Sequence, residues 1–276
     1  VARINALLTE GVKEVVLAGV HIGDYQDDKY GSEPGPEGLI EQILLRTSLP
    51  RLRLSSLEPV EVTDRLIELC QDSRICSHFH MSIQSACTPT LQRMKRNYGA
   101  AEVEFSLKRI AREFPDAFVG MDFIVGFPGE SESEFMDSFT RLSYLPWTKI
   151  HVFPYSERPG TYANRLDEKN APKEIGERAK RLQALSLERH AQAGLNQVGK
   201  DKEVLVLKQK DGAYQGLSRD YWPVQIESLK PLTSGEEIRV RIQGFDSSSS
   251  LKAKNSLFGV PLDLLSGPEM QASTHS

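Results

Sequence analysis

The chain has 276 residues, 39% of them hydrophobic and 26% charged, with a formal net charge of −4. That length holds one large core or two domains of an ordinary globular protein. The negative balance excludes a generally basic nucleic-acid binder while leaving room for a local basic patch. No apolar run approaches membrane-spanning length, so no membrane partner is expected.

In chain order, Val1, Ile4, Leu7 and Leu8 share one helical face, and Gly11 stops the helix. Val12–Ala18 reads as a strand ending in Gly19-Val-His21. A polar loop leads to a helix from about Gly38 to Arg46. Arg51–Ser56 is the next strand, ending in Leu57-Glu58-Pro59, and Thr63 is the expected N-cap of the helix after it. His78–Ile83 is a strand ending in Gln84-Ser85. A short helix, the basic turn Lys95-Arg96-Asn97-Tyr98 and a helix from Ala101 to Phe114 follow.

Phe118–Val125 is a near-continuous apolar run, as expected of a parallel strand buried on both faces. It breaks at Gly126-Phe-Pro-Gly129, and a helix follows at once with Glu130, Ser131 and Glu132 in its first turn. A glycine loop at the carboxyl end of a parallel strand is where βα folds bind ligands. The last strand of this part, Lys149–Phe153, ends in Pro154-Tyr-Ser-Glu-Arg158. Alternation of strand and helix predicts an α/β fold with a parallel sheet, a partial barrel over residues 1–195, its strand ends gathered around one site. Pro172 opens a long amphipathic helix. Beyond Gly199 short alternating strands and an Asp211-Gly212 turn predict a small all-β barrel over residues 196–260, followed by a loose tail over 261–276.

Taken in order, Glu14–Tyr25, Leu54–Pro59, His80–Ser85, Asp122–Glu130 and Phe153–Thr161 resemble the radical S-adenosylmethionine (SAM) methylthiotransferases that modify tRNA. The second barrel is similar to that family's RNA-binding TRAM module. The loop Gly19–Tyr25 and the segment His151–Arg158 look most like the branch acting on threonylcarbamoyladenosine beside the anticodon. The isopentenyladenosine and ribosomal-protein branches look less similar. The resemblance implies insertion of sulfur and a methyl group at an adenine C–H. The cofactors would be S-adenosylmethionine and 4Fe-4S clusters, and the partners a tRNA anticodon stem-loop and an electron donor. The compartment expected from the unpaired cysteines is the cytoplasm.

The resemblance assigns Gly126, Gly129 and Glu130 to the wall beside the adenosine. From their strand-end positions, Gly19, Glu58, Gln84 and Ser85 are further cofactor-binding candidates, as is Arg96, whose basic turn resembles the family's and whose fork suits a carboxylate or phosphate. Ser55 faces the same mouth, and His21 is either a base or a structural donor. Gly126→Val in the full-length protein is expected to weaken cofactor binding severely with the fold intact. Tyr155 and Arg158 are candidates for RNA contact, as are Tyr214, Arg219, Tyr221 and Trp222, whose mixture of basic and aromatic groups suits unpaired bases. The same residues would also suit barrel core. One departure is decisive: the family holds its radical-forming cluster in a Cys-x₃-Cys-x₂-Cys loop, whereas Cys70, Cys76 and Cys87 are scattered. The chain is therefore expected to be an inactive part of a longer protein, without metal ligands of its own. A non-catalytic RNA-binding remnant is the alternative. An aldolase-like barrel is disfavoured because Lys149 begins its strand rather than ending it.

Overall fold

A computed structural model describes residues 1–19, 22, 25, 35–210, 212–246 and 255–265. His21, Asp211, most of the polar loop before Pro36 and residues 266–276 lie outside the described residues. The first part runs α1 (Ala2–Thr9), β1 (Glu14–Leu17), α2 (Pro36–Arg46), β2 (Arg51–Leu54), α3 (Asp64–Leu69) and β3 (His78–Gln84). It continues with α4 (Thr88–Arg93), α5 (Ala100–Glu113), β4 (Phe118–Val125), α6 (Glu132–Tyr144), β5 (Lys149–Pro154) and α7 (Pro172–Leu195).

Local chemistry sets several of these boundaries. Thr63 Oγ1 accepts from Leu66 N at 3.0 Å, and Ser131 Oγ accepts from Glu134 N at 3.2 Å, each satisfying a donor that a helix start leaves open. The strands form one parallel arc. β1 pairs with β2, and β3 pairs with β4, which pairs with β5. Single bridges, Leu52 to Ile75 and Leu57 to Met81, join the two groups. Apolar side chains such as Leu52, Met81, Met121 and Phe123 are fully buried between strands and helices. This is the partial α/β barrel expected.

The second part is a closed barrel of β6 (Asp201–Lys210), β7 (Ala213–Ser218), β8 (Pro223–Ile226), β9 (Glu237–Asp246) and β10 (Ser256–Pro261). β10 closes it by pairing parallel with β8 and antiparallel with β9. Val204, Val206, Trp222, Val224, Ile226, Val240 and Ile242 fill its interior. A short helix, α8 (Leu262–Leu265), follows directly, so the stretch read as a loose tail begins with ordered structure. Phe118, at the amino end of β4, joins the core of this second barrel. The two parts therefore share one buried joint, at the amino end of the arc.

Candidate functional site

The carboxyl ends of the strands make a mouth, and the chain's alternation decides what faces it. Along β3, His80, Ser82 and Gln84 are half-buried while Met81 and Ile83 are buried; along β4, Asp122 and Ile124 alternate in the same way. With a period of two, the half-buried set lines the inside of the arc. His80 Nε2 lies 3.0 Å from Asp122 Oδ2, and Asp122 sits opposite His151 in the ladder. The side chains of Ser82 and Gln84 have no hydrogen-bond partner among the described residues. Such a polar lining fits the ribose and amino-acid groups of a ligand like S-adenosylmethionine. Gln84 ends its strand at φ 59°, a left-handed conformation uncommon for a residue with a side chain.

The glycine loop is built differently from the expectation. Gly126 has φ +73° and Gly129 φ +79°, but the space beside each is taken. A Cβ on Gly126 would overlap Ile175 of α7, and one on Gly129 would come within 3.1 Å of Arg93. Gly126 N donates to Glu130 Oε2 at 2.6 Å, and Gly129 N donates to Glu168 O at 2.5 Å. Glu130 is 1% exposed and pairs with buried Arg178 at 3.1 Å. Asn170 donates to Phe127 O at 2.9 Å. The loop is thus a self-bonded wall beneath the segment leading into α7, and Gly126→Val is expected to damage the fold itself. Burial raises the pKa of Glu130 against the opposing pull of Gly126 N and Arg178, and its Oε1 is a buried acceptor without a partner.

Other candidates also prove to be spent within the chain. Glu58 is buried and ion-paired to Arg96, so the carboxylate and the guanidinium proposed separately as ligand contacts meet each other. Ser85 is fully buried, 3.3 Å from Ser138 Oγ, and accepts from Cys87 N at 3.2 Å. Gly19 follows β1 and is exposed. Tyr155 packs edge-on to Phe127 at 5.6 Å with its hydroxyl buried, while Arg158 is exposed beside the mouth. All three cysteines are buried. Burial lifts the Cys70 thiol to about 12 and raises Cys76 and Cys87. Such thiols are poor metal ligands, and among the described residues no three His, Cys, Asp or Glu side chains converge to hold a metal. The residues present do not fit a three-cysteine cluster.

Of the aromatic and basic candidates of the second barrel, Arg219, Tyr221 and Trp222 lie at the joint. Trp222 is 1% exposed, stacked on His190 at 4.8 Å and edge-on to Phe118 at 5.1 Å. Tyr221 stacks on His78 at 3.9 Å and lies under Arg53. Arg219 pairs with Glu203 and Glu237 and donates to Ser73 O at 2.7 Å. Tyr214 packs half-buried on the barrel core. Trp222 has no face to offer an RNA base, and Arg219 and Tyr221 bind the arc instead. From the other side, Arg51 and Arg53 are 0% and 1% exposed. They pair with Glu14 and donate to the carbonyls of Leu217, Ser218 and Arg219. Burial works to raise the Glu14 carboxyl, but the two arginines prevail and hold it below its ordinary value. These two arginines, with His78, His190 and the His80–Asp122 pair, escaped the reading of the sequence, which weighed Lys149 only as a Schiff-base lysine and set it aside. Alternation back from Gln84 marks His80 and Ser82; nothing local marks the arginines.

A family model of the radical SAM superfamily matches residues 1–142. The chain belongs to the radical SAM superfamily. The superfamily's S-adenosylmethionine and 4Fe-4S cluster are therefore the cofactors to consider at the mouth. Among curated relatives, it is similar to the threonylcarbamoyladenosine tRNA methylthiotransferase MtaB of Treponema pallidum, 37% identical over 186 residues, covering 67% of this chain and 38% of that protein. The MtaB of Bacillus subtilis is 36% identical over 188 residues, covering 67% and 41%. The tRNA-2-methylthio-N(6)-dimethylallyladenosine synthase of Zymomonas mobilis is 29% identical over 244 residues, covering 88% and 55%. This radical SAM chain thus spans about two fifths to just over half of these relatives' lengths.

Proposed function

We propose that the protein containing this chain methylthiolates N6-threonylcarbamoyladenosine beside the anticodon of tRNA, in the cytoplasm, with an electron donor as partner. The observation that carries the proposal is the 37% identity over 186 residues to a protein named for that nucleoside. S-adenosylmethionine, when bound, supplies the radical that takes the adenine hydrogen. The chain's own contribution is binding and orientation. Ser82, Gln84 and Asp122 offer hydrogen bonds inside the arc. The Gly126–Glu130 wall, braced by Arg178, fixes the shape of the mouth. Arg158 at the rim suits a phosphate, because its fork binds two oxygens. Residues 1–195 form the cofactor module and 196–260 an RNA module of the TRAM kind.

This chain alone is further proposed to start no radical, since its three thiols are buried apart and burial holds them protonated. Anaerobic reconstitution with iron and sulfide is expected to load no stoichiometric cluster. A loaded cluster with release of 5′-deoxyadenosine would overturn that point. The function is tested by nucleoside mass spectrometry of tRNA from cells deleted for the gene encoding this chain. Loss of 2-methylthio-threonylcarbamoyladenosine with its isopentenyl counterpart retained supports the reading. The reverse pattern assigns the protein to the other branch, which the Zymomonas relative represents.

A further inference from the structure

A cavity of about 580 Å³ lies between the amino end of the arc and the second barrel, walled by Arg53, His78, His80, Lys149, His151 and Tyr221 among others. It is the amino-terminal part of the lumen, reaches the mouth's lining at His80 and Ser55, and its volume suits a small ligand. The carboxylates around it are committed. Glu14 sits between Arg51 and Arg53, and Asp122 faces His80. Glu237 and Glu203 are held by Arg51 and Arg219. Lys149, half-buried at the start of β5, has neither a hydrogen bond nor an ion pair among the described residues. Burial lowers its pKa and no nearby carboxylate raises it again. The imidazoles around Lys149 also have unspent capacity: both ring nitrogens of His78 and Nδ1 of His190 are buried without partners.

A half-buried ammonium without a counter-charge is costly, and an anion in the cavity removes that cost. The donor set is cationic and N–H rich, the carboxylates are engaged, and no three ligands converge on a metal among the described residues. We propose that this cavity is an oxyanion site, for a phosphate or carboxylate group, with Lys149 as its charged ligand and the surrounding imidazoles as further donors. The site does not depend on the function proposed for the mouth.

Inorganic phosphate titrated into this chain by calorimetry at low ionic strength is expected to bind at one site. Lys149→Met should weaken that binding about tenfold or more, the scale of a lost charged hydrogen bond. Lys149→Arg should retain it, as should Lys230→Met on the exposed loop before β9. A readout without any variant guards against misfolding: saturating phosphate should slow acylation of Lys149, measured by mass spectrometry, and leave Lys230 unaffected. An anticodon stem-loop RNA distinguishes the source of the oxyanion. If phosphate competes with RNA and Lys149→Met weakens both, the occupant is an RNA phosphate; if only phosphate binding changes, it is a free anion. Absence of phosphate binding, or phosphate binding equal in wild type and Lys149→Met with unchanged labelling, overturns the site.

Discussion

The two ends of the parallel arc carry similar side chains and use them in opposite ways. At the carboxyl end, Ser82, Gln84 and Asp122 are half-buried around a lumen, and two of the three have no partner among the described residues. At the amino end, Arg51, Arg53, His78 and Trp222 are at most 5% exposed and are stacked or bonded across the joint. A buried guanidinium persists only when its donors are satisfied, and here the backbone carbonyls of β7 satisfy them. The lesson is that residue type does not mark a ligand-binding group. Unspent bonding capacity does, and by that measure the mouth and the Lys149 cavity are open, while the arginine–carboxylate and Trp222 contacts beside that cavity are closed.

The largest expected effect would break this comparison from the mouth side. Gly126→Val adds a side chain at φ +73° against Ile175, and should cost about 4 kcal/mol of stability in urea unfolding. Adding Ile175→Ala to Gly126→Ala should recover part of that variant's loss. A Gly126→Val chain of unchanged stability would mean that the glycine faces open space and a ligand after all. At the joint, Arg51→Met leaves Glu237 and Glu14 with one guanidinium fewer, and should cost about 3 kcal/mol by the same measurement. An effect below about 1 kcal/mol would show a joint held by aromatic packing alone.

Acidification sharpens the comparison next. Burial depresses His78 to about 2 and His190 to about 4, so both are neutral in the folded chain. The unfolded chain then takes up protons first, from about pH 6.5 downward. Stability should be full above that pH and fall between 6.5 and 4, by up to about 1.4 kcal/mol per pH unit for each histidine. His190→Phe, which keeps a ring against Trp222, should flatten the slope; an unchanged slope would assign the loss to other groups. The smallest effect belongs to exposed Arg158. Arg158→Ala should shift stability by less than about 0.5 kcal/mol. If Arg158 meets a phosphate, the same change lowers the salt dependence of RNA binding by about one unit of slope.

Local chemistry was legible without a structure. The helix cap at Thr63, the strand Phe118–Val125 and the break at Gly126 depend on near neighbours along the chain, so residue spacing reveals them. The alternating strands of the second barrel were legible for the same reason, and Pro172 as the start of α7 likewise. The partners of the site residues were not. Glu58 and Arg96 are 38 positions apart, and Arg51 and Glu237 are 186 apart. A charge in a sequence looks the same whether it awaits a phosphate or already holds a carboxylate.

By itself, then, the sequence determined the parallel α/β arc, the second barrel and the radical SAM membership, because periodicity and turn chemistry act over a few residues and the family motifs are contiguous. Only the tertiary structure decided that Trp222, Tyr221 and Arg219 join the two parts, that Gly126 yields space to Ile175, and that Lys149 has no counter-ion among the described residues. The physical reason is desolvation. Burial decides whether a polar or aromatic group must find its partner within the chain, and burial arises from contacts between segments that lie far apart in the sequence.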